Sequence, residues 1–489
     1  RLENIQTPFG YLVAEAEAED GSLTGVTVAG SAPGYSGNGY VTGFDNAGDK
    51  VTVDMLIPEK NLFKLVIRYR SADGQKFQSL LVNNEPVASL RFLLTDTFTY
   101  LEAGSYMFEK GINQLTISND WGWTDIDKFE IYPSYQHKFN ISPNPADSAV
   151  NDTTRALYEF LLFQFGDRII SGQTHNNYDV FRDTAGSSPM LRVADFQHFT
   201  EGYPYLWDNG GHTFGKHDDG SVDALISWHD STDGKGIISY QWHWHSPSGG
   251  EVSTNTFYTT LTDFDVSKAV VPGNQEYDDI IRDIDDIAFQ LKKFRDADIP
   301  VLWRPLHEAG GGWFWWGAKG PEPCKELYNI LYDRLKNHHQ LHNLLWVWST
   351  PEEEWYPGND KVDIIGHDSY PGIYNYGNQK FAFDELYRLT GGEKLIAMTE
   401  NGPIPDPDAC LTGDAPWSYF MSWSNLAFEQ NSTSHIIDVY NHPDVIILES
   451  DNIKASMEWR SKLYPEDWQP GYKDNEGRFL NDFSYAGYH

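Results

Sequence analysis

Short apolar runs alternate with helical periods from Asp152 onward, and this alternation constrains the fold more than any other feature of the chain. Helical periods occupy residues 153–165, 277–297 and 326–337, and the intervening runs have the length of buried β-strands. Eight such strands in a region of about 340 residues predict a (β/α)8 TIM barrel. The predicted strands are residues 168–173, 190–195, 236–243, 299–307, 344–348, 362–366, 394–400 and 418–423.

Two further segments complete the predicted organisation. Residues 1–132 contain short alternating runs separated by Gly, Asn and Asp turns, which predicts a jelly-roll-like antiparallel β-sandwich. Residues 133–150 are rich in Pro, Ser and Asn and read as a semi-stiff linker, so the barrel domain would span residues 151–489. A ninth apolar run, residues 444–449, leaves the eighth strand open to choice; we favour residues 418–423, whose tip would meet the other strand tips.

Polar and aromatic side chains stand at the predicted C-terminal strand tips, where barrels of this kind place their functional groups. Glu308 follows the fourth strand and Glu400 the seventh, which puts two carboxylates on opposite sides of the barrel mouth. Such a pair can hydrolyse a glycoside, with retention at a separation of roughly 5 Å and inversion at roughly 6.5–9.5 Å. The remaining tip residues are Gln173, His175, Asp195, His243, His307, Trp348, Asp368, Tyr370 and Trp423.

The segment after the fourth strand combines Glu308 with three glycines and the aromatic run 313–316. An acid there can meet a glycosidic oxygen, and indole faces can stack on pyranose rings. The alternative is a core strand followed by a glycine turn, with Glu308 an ordinary solvated acid. The glycines favour exposure of Trp313. Packing or outer-subsite roles are expected for Trp242, Trp244, Trp315 and Trp316, and a core position for Trp348.

The amino-acid composition narrows the classes of binding partner that are expected. Aromatic residues make up 15% of the chain, with 17 Trp and 28 Tyr, an excess that fits carbohydrate binding. The net charge of −35 repels nucleic acid and anionic membranes, and no run of about 18 apolar residues occurs, so neither partner is expected. The start at Arg1, without Met or a signal-like segment, favours a processed, secreted protein, which we expect to be a monomer.

Cysteine and histidine spacing bears on redox and metal chemistry. Cys324 and Cys410 could form one disulfide or remain two buried thiols. No His-Glu-x-x-His or similar spacing occurs, so no catalytic metal is expected.

The barrel region resembles glycoside hydrolase family 26, most of whose characterised members are endo-β-1,4-mannanases. The resemblance rests on five motifs in the right order: SYQWHW (239–244), WRPLHE (303–308), GGWFWWG (311–317), VDIIGHDSY (362–370) and MTEN (398–401). His307 stands where the wider clan has Asn, a variation that this family itself shows. The resemblance implies that Glu308 is the acid/base and Glu400 the nucleophile.

Further roles follow from these motif positions. His243 matches the family's histidine on the third strand and would hold a substrate hydroxyl, although a structural histidine is an equal alternative. Tyr370, His307 or a nearby arginine would keep Glu400 ionised. Trp313 and Trp423 are the stacking candidates around the cleaved bond, against the alternative of core packing.

The N-terminal segment resembles carbohydrate-binding module family 35, on the motifs EAEDGSLTG (17–25), GYSGNGYV (34–41) and TDIDKFEI (124–131). Glu17, Glu19 and Asp127 would supply oxygen ligands to a structural calcium that ties the two ends of the sandwich together; the alternative is an exposed acidic edge strand. Trp121 and Trp123, in the last loop, are the candidates for glycan stacking.

Together these observations predict a secreted, retaining endo-β-1,4-mannanase with a β-mannan-type polysaccharide as its partner. Mixed-linkage β-glucanase and β-1,3-xylanase share the two glutamates and remain alternatives within the family. A non-catalytic glycan-binding protein is the alternative from another class. Endo or exo action depends on loops such as residues 203–216 or 355–360, which can close one end of the cleft.

Overall fold

The computed structural model describes residues 12–17, 21–58, 60–133, 137–200 and 218–450. In its N-terminal part, two antiparallel sheets pack face to face, with strand orders β3-β4-β11-β6-β9 (β1 also pairing with β11) and β2-β5-β10-β7-β8. The strands are β1 (Leu12–Glu15), β2 (Ser22–Thr24), β3 (Thr27–Ala29), β4 (Tyr40–Thr42), β5 (Lys50–Ile57), β6 (Asn61–Ser71), β7 (Lys76–Val82), β8 (Glu85–Phe92), β9 (Thr95–Phe108), β10 (Gly111–Trp121) and β11 (Asp125–Pro133).

The sandwich core arises from period-2 alternation of apolar side chains. On β5, Val51, Val53 and Met55 are buried and point into the same cluster as Leu115 and Ile117 of the neighbouring strand β10. Side chains two residues apart share one face of a strand, so these positions form a continuous apolar layer between the sheets. The predicted sandwich is therefore present.

A closed barrel of eight parallel strands follows, in the order β13 to β20. The strands are β12 (Ile169–Ile170), β13 (Gly172–Thr174), β14 (Leu191–Asp195), β15 (Ile237–Gln241), β16 (Val301–Arg304), β17 (Leu344–Trp348), β18 (Ile364–Ser369), β19 (Leu395–Asn401), β20 (Phe420–Ser422) and β21 (Val445–Ile446). The helices are α1 (Asp152–Gln164), α2 (Tyr178–Ala185), α3 (Ser221–Ser231), α4 (Val266–Ala269), α5 (Gln275–Asp296), α6 (Pro321–Asp333), α7 (Lys380–Thr390), α8 (Pro407–Thr412), α9 (Leu426–Glu429) and α10 (Thr433–Tyr440).

Parallel strands covered by helices are buried on both faces, which is why they read as near-continuous apolar runs. Every residue of β15, β16 and β17 is buried, including Trp303, Trp346 and Trp348. The predicted TIM barrel is confirmed, and Trp348 takes the core position expected of it.

The two ends of the barrel sequence differ in detail from the prediction. The run predicted as the first strand divides into two: Ile169–Ile170 lies outside the barrel, and only Gly172–Thr174 joins it. The ninth apolar run contributes Val445–Ile446, which pairs in parallel with Ile169–Ile170. The eighth barrel strand is Phe420–Ser422, within the favoured segment, and it closes the barrel against β13 and β19.

The segment predicted as a linker packs on the barrel. Phe139 and Ile141 are buried within the apolar cluster of the barrel. The Ala146 N–H donates a hydrogen bond to the Asp363 carboxylate at 2.6 Å. His137 contacts Asp384 of α7 at 3.1 Å. The described residues 137–150 therefore behave as part of the barrel domain rather than as a spacer.

Helix α7 joins the sandwich to the barrel because it is apolar on two sides. Phe383 packs in the barrel cluster, whereas Phe381 is 4% exposed and belongs to the sandwich cluster. A helix that is apolar on both sides is buried between two layers. The N–H of Ser105 on β9 donates to Asp384 on α7 at 3.0 Å, which ties the two layers together.

The remaining fold-level expectations concern membranes and thiols. Within the described residues, no helix is both long and apolar enough to cross a membrane. Cys324 and Cys410 are free and buried, so of the two alternatives for the cysteines the unpaired thiols are correct.

Candidate active site

Glu308 lies just past the end of β16, in an unusual backbone conformation. Its φ is +54°, and Leu306 two residues earlier has a φ of +53°. Non-glycine residues in the left-handed region carry a cost of about 1–3 kcal/mol and concentrate at functional sites. The Glu308 N–H is anchored by a hydrogen bond of 3.2 Å to the Ser349 carbonyl after β17. The fold thus holds this carboxylate at the barrel mouth at the expense of backbone strain.

Glu400, near the end of β19, is buried and accepts hydrogen bonds on both of its oxygens. The Arg304 guanidinium donates to Oε1, and the Tyr370 hydroxyl donates to Oε2 at 2.7 Å. Arg304 also pairs with Asp368 at 3.0 Å. Of the three donors considered from the sequence, Tyr370 and a neighbouring arginine contact Glu400, whereas His307 is directed elsewhere.

The carboxylates of Glu308, Asp368 and Glu400 meet at one point of the barrel mouth. One oxygen from each lies within 4.8 Å of the others. The two glutamates predicted from the strand count are therefore brought together, with the buried guanidinium of Arg304 beside them.

Burial and a neighbouring carboxylate raise the pKa of both glutamates, but the two differ in their hydrogen-bond donors. Burial raises the pKa of Glu308, and the charge on Glu400 raises it further. Burial and Asp368 also raise the pKa of Glu400, but Arg304 and Tyr370 oppose that shift. The pKa of Asp368 is raised as well, to about 7, mainly by burial. Among the described residues, the Glu308 carboxylate accepts from the Trp313 indole N–H, whereas Glu400 accepts from Arg304 and Tyr370, and such donors favour the ionised form of a carboxyl group.

A histidine pair lies beside the carboxylates. The His243 Nδ1–H donates to Asp195 at 2.5 Å, and its Nε2 lies 3.2 Å from Nε2 of His307. Burial alone would lower the pKa of His243, but Asp195 raises it above its ordinary value. Burial and the neighbouring His243 keep the pKa of His307 well below its ordinary value. Of the two histidines, His243 is therefore the one whose surroundings favour protonation.

The tryptophans divide into exposed and buried groups. The Trp313 side chain is 48% exposed, and its indole N–H donates to Glu308 at 3.0 Å. Trp423 is half-buried and lines a cavity of about 300 Å³ together with His243. Complete burial assigns packing roles to the four tryptophans for which packing or outer subsites were expected: Trp242, Trp244, Trp315 and Trp316.

A second cavity, of about 590 Å³, opens on the other side of the site. Glu308, Trp313 and Tyr370 contribute to its lining, and so does Trp121 from the sandwich. Cavities of this size are in the range that accommodates ligands. Trp121 and Trp123 are 60% and 42% exposed, and only Trp121 is among the lining residues.

The residues expected to hold calcium are brought together only in part. The Glu17 carboxylate accepts a hydrogen bond from the Asn38 N–H at 2.7 Å, and its Oε2 is buried without a protein partner among the described residues. Both oxygens of Asp127 are engaged, by Ser36 and by Arg68. Glu19 lies outside the described residues. Glu15, which binds Ser36 at 2.7 Å, stands nearby instead.

Several residues of the site were missed or left unspecified by the sequence analysis. Arg304 ends the buried strand β16, where an arginine is unusual unless it is paired, and that position was the available signal. Asp195 and Asp368 were noted at strand tips, but nothing in their spacing revealed the partners His243 and Arg304. Their pairing depends on strand neighbours that are distant in sequence.

Comparison with known proteins agrees with this geometry. The family model of glycosyl hydrolase family 26 matches residues 146–450, and that of carbohydrate binding module family 35 matches residues 14–134. A mannan endo-1,4-β-mannosidase of Thermothelomyces thermophilus is 38% identical over 88% of this chain and 89% of its own length. Mannan endo-1,4-β-mannosidase A of Piromyces is 34% identical over 88% of this chain and 71% of its own length.

Solved structures give the same relationship. The Podospora anserina GH26-CBM35 β-(1,4)-mannanase is 37% identical, with a TM-score of 0.62, over 92% of this chain and all of the other. A β-mannanase from a symbiotic protist of the termite Reticulitermes speratus, complexed with gluco-manno-oligosaccharide, has 32% identity and a TM-score of 0.57, over 64% of this chain and 98% of its own. The chain therefore belongs to glycosyl hydrolase family 26 and carries a family 35 carbohydrate-binding module before its catalytic barrel.

Proposed function

We propose that this chain is a secreted, retaining endo-β-1,4-mannanase that acts as a monomer on β-mannan, galactomannan or glucomannan. One observation carries the proposal: carboxylate oxygens of Glu308 and Glu400 lie within 4.8 Å of each other. Such a close approach of two carboxylate oxygens favours the separation of roughly 5 Å found in retaining glycosidases over the roughly 6.5–9.5 Å of inverting ones. The names of the relatives, with mannan as the substrate, support the choice of polymer.

In the proposed first step, Glu400 attacks the anomeric carbon while Glu308 gives its proton to the glycosidic oxygen. The attacking carboxylate is oriented by Arg304 and Tyr370, one donor on each oxygen. As the covalent ester forms, negative charge leaves Glu400, so the charge that raises the pKa of Glu308 weakens. The pKa of Glu308 then falls, which favours transfer of its proton to the glycosidic oxygen of the departing sugar.

In the second step, Glu308 removes a proton from a water molecule that attacks the glycosyl ester, and Glu400 is released. The same carboxylate thus serves first as acid and then as base. His243, fixed by Asp195 through Nδ1 and paired with His307 through Nε2, lines the neighbouring cavity together with Trp423, where a sugar unit of the substrate would bind.

The test is hydrolysis of galactomannan, lichenan and xylan in parallel, by the parent chain and by Glu308→Ala and Glu400→Ala. We expect release of reducing sugar from galactomannan, and a loss of about 10³-fold or more in each variant while binding to the polysaccharide survives. Activity on lichenan or xylan alone would overturn the choice of mannan. Equal hydrolysis by parent and variants would overturn the site.

Endo action is tested by the products. Cleavage within the chain gives a mixture of oligosaccharides from mannohexaose, whereas exo action gives one short product from the start of the reaction. Of the loops that could close the cleft, residues 203–216 lie outside the described residues.

We further propose a structural calcium ion in the sandwich. The Oε2 of Glu17, which has no hydrogen-bond partner among the described residues, and the nearby Glu15 are hard oxygen donors of the kind that calcium prefers. The charge of Asp127 is already opposed by Arg68, so it would contribute less than the sequence predicted. Bound there, calcium would neutralise the acidic cluster and join the first strand to the loop at Ser36.

A further inference from the structure

A cavity lies between the sandwich and the barrel. It measures about 590 Å³, and its wall comes from both domains. The barrel contributes Glu308, Trp313 and Tyr370, and the sandwich contributes Phe77, Arg91 and Trp121. The lining of one cavity therefore includes both Glu308 and residues of the binding module.

Trp121 is presented to this cavity by a local irregularity of its strand. Strand β10 pairs with β7 in regular register up to Asn119, and the register shifts before Trp121. Such a bulge re-aims the side chain that follows it. The indole is supported at its side by Phe77, with ring centroids 6.5 Å apart, and by Lys76, whose Nζ lies 5.3 Å from the ring centre. The ring remains 60% exposed and free to stack on a sugar.

The two walls of the cavity are held at a fixed distance. Arg91 of β8 pairs with Glu352 of the barrel at 2.6 Å, beside the cavity, and approaches Glu385 of α7 at 3.6 Å. The Gln379 N–H donates to the Val87 carbonyl at 3.2 Å. A Cβ on Gly377 would lie 2.4 Å from the Pro86 carbonyl oxygen, so the two backbones are in direct contact.

We propose that Trp121 forms a distal sugar subsite of the catalytic cleft, so that the binding module takes part in each hydrolytic encounter. Its ligand is a pyranose unit of the same β-mannan chain whose bond is cleaved between Glu308 and Glu400. Trp313 and Trp121 provide the aromatic faces of this arm of the cleft, and the fixed ion pair at Arg91 sets their spacing. The subsite rests on the proposed mannanase function.

Trp123 supplies a matched control. It lies two residues from Trp121, is 42% exposed and shares contact with Lys76, yet it is not part of the cavity wall. If the module only captured polysaccharide at a distance, the two tryptophans would contribute alike to binding and neither would affect the hydrolysis of short soluble chains.

The experiment compares Trp121→Ala, Trp121→Phe and Trp123→Ala with the parent chain on two substrates, mannohexaose and an aryl β-mannobioside. We expect kcat/KM for mannohexaose to fall about tenfold in Trp121→Ala, the order of one lost aromatic contact, and to recover partly in Trp121→Phe. The aryl mannobioside, too short to reach Trp121, should be hydrolysed at the parent rate by all three. Trp123→Ala, whose indole lies outside the cavity wall, should lose much less activity on mannohexaose than Trp121→Ala does.

Unchanged hydrolysis of mannohexaose by Trp121→Ala, or an equal loss in Trp121→Ala and Trp123→Ala, overturns the shared subsite. A melting temperature equal to that of the parent shows that the variants are folded. Failure of the proposed mannanase function would give a different result from failure of the subsite, because the parent chain itself would not cleave mannan. The same variants are then compared on the polymer that it does cleave, where the contrast between Trp121 and Trp123 still decides.

Discussion

Arg304 is the side chain on which the charge balance of the catalytic site depends. It is buried, and it pairs with both Asp368 and Glu400. A guanidinium can hold two carboxylates at once because its donors are arranged as a planar fork. Without it, the mouth of the barrel would contain three neighbouring carboxyl groups and no cation between them. Its position at a strand end is therefore as much a part of the site as the two glutamates.

Replacement of Arg304 by Met should move the pH profile as well as reduce the rate. Arg304 lowers the pKa of Glu400, so its removal should raise that pKa, and the proposed nucleophile should lose its charge at a higher pH. We expect kcat/KM to fall about 10²-fold or more and the acidic limb of its pH profile to shift upward. Measurement of kcat/KM against pH checks this.

Arg304→Lys is the control, because it keeps the charge and loses the fork. Its acidic limb should lie closer to that of the parent than the limb of Arg304→Met does. An acidic limb that stays in place in Arg304→Met, in a protein that melts normally, would contradict the assignment of Glu400 as the group that must be ionised.

At the scale of the element, the glycine-containing loop after β16 determines where the indole of Trp313 lies. A Cβ on Gly311 would fall 2.2 Å from the Trp313 ring, whereas a Cβ on Gly317 would fall 2.1 Å from the Ala309 carbonyl oxygen. The first obstacle is an exposed side chain that can move, and the second is backbone that cannot. The two glycines therefore serve different purposes within one loop.

Gly311→Ala should reduce activity and spare stability. The displaced indole would lose its hydrogen bond to Glu308 and its place beside the substrate, so we expect kcat/KM on mannan to fall about tenfold. Gly317→Ala should instead lower the free energy of unfolding, by about 1–3 kcal/mol, because the backbone is overpacked. Thermal melts and hydrolysis rates for both variants check the contrast. Equal loss of stability in the two would refute it.

The sandwich offers a prediction about calcium. A chelator should lower the melting temperature of the parent chain while hydrolysis of short oligosaccharides stays nearly unchanged, because the acidic cluster lies on the first strand of the sandwich and the loop at Ser36. Glu15→Gln should weaken the response to the chelator if this residue, rather than Glu19 alone, is a ligand. An unchanged melting temperature of the parent chain in the presence of the chelator would rule out the calcium proposal.

The barrel could be predicted from the sequence because buried parallel strands are short apolar runs. The strand predicted at residues 344–348, for example, has the same bounds as β17. The first strand was not predicted correctly, because Ile169–Ile170 and Gly172–Thr174 look like one continuous strand in the sequence. They are two strands because they pair with different partners far along the chain, Val445–Ile446 and Ser422. For the same reason the two glutamates could be placed by counting strands, while the pairing of Arg304 with Glu400, 96 residues away in sequence, could not.

For the whole molecule, Asp384 connects three parts of the chain. It accepts from the Ser105 N–H of the sandwich, contacts His137 of the connecting segment, and pairs with the fully buried Lys380 of its own helix. Removal of one partner of a buried ion pair leaves the other charge uncompensated. Asp384 is therefore one of the buried groups through which the stabilities of the two domains are coupled.

Asp384→Asn should uncouple the unfolding of the two domains. We expect a loss of about 3 kcal/mol and two resolved calorimetric transitions where the parent has one. Arg388→Gln is the matched control: its pair with Glu102 also crosses between the domains, but both side chains are 46% exposed, so the change should cost under about 1 kcal/mol. Two separate transitions already in the parent would contradict this coupling.

The position of Phe381 affects any truncation of this enzyme and any exchange of its domains. Its ring completes the apolar interior of the sandwich, although it is carried by a helix of the barrel. A barrel expressed without residues 1–133 would display that ring to water next to the bared edge of α7, and such patches promote self-association. A sandwich expressed alone would have a hole in its interior. The boundary at which these two halves can be cut does not coincide with any boundary along the sequence.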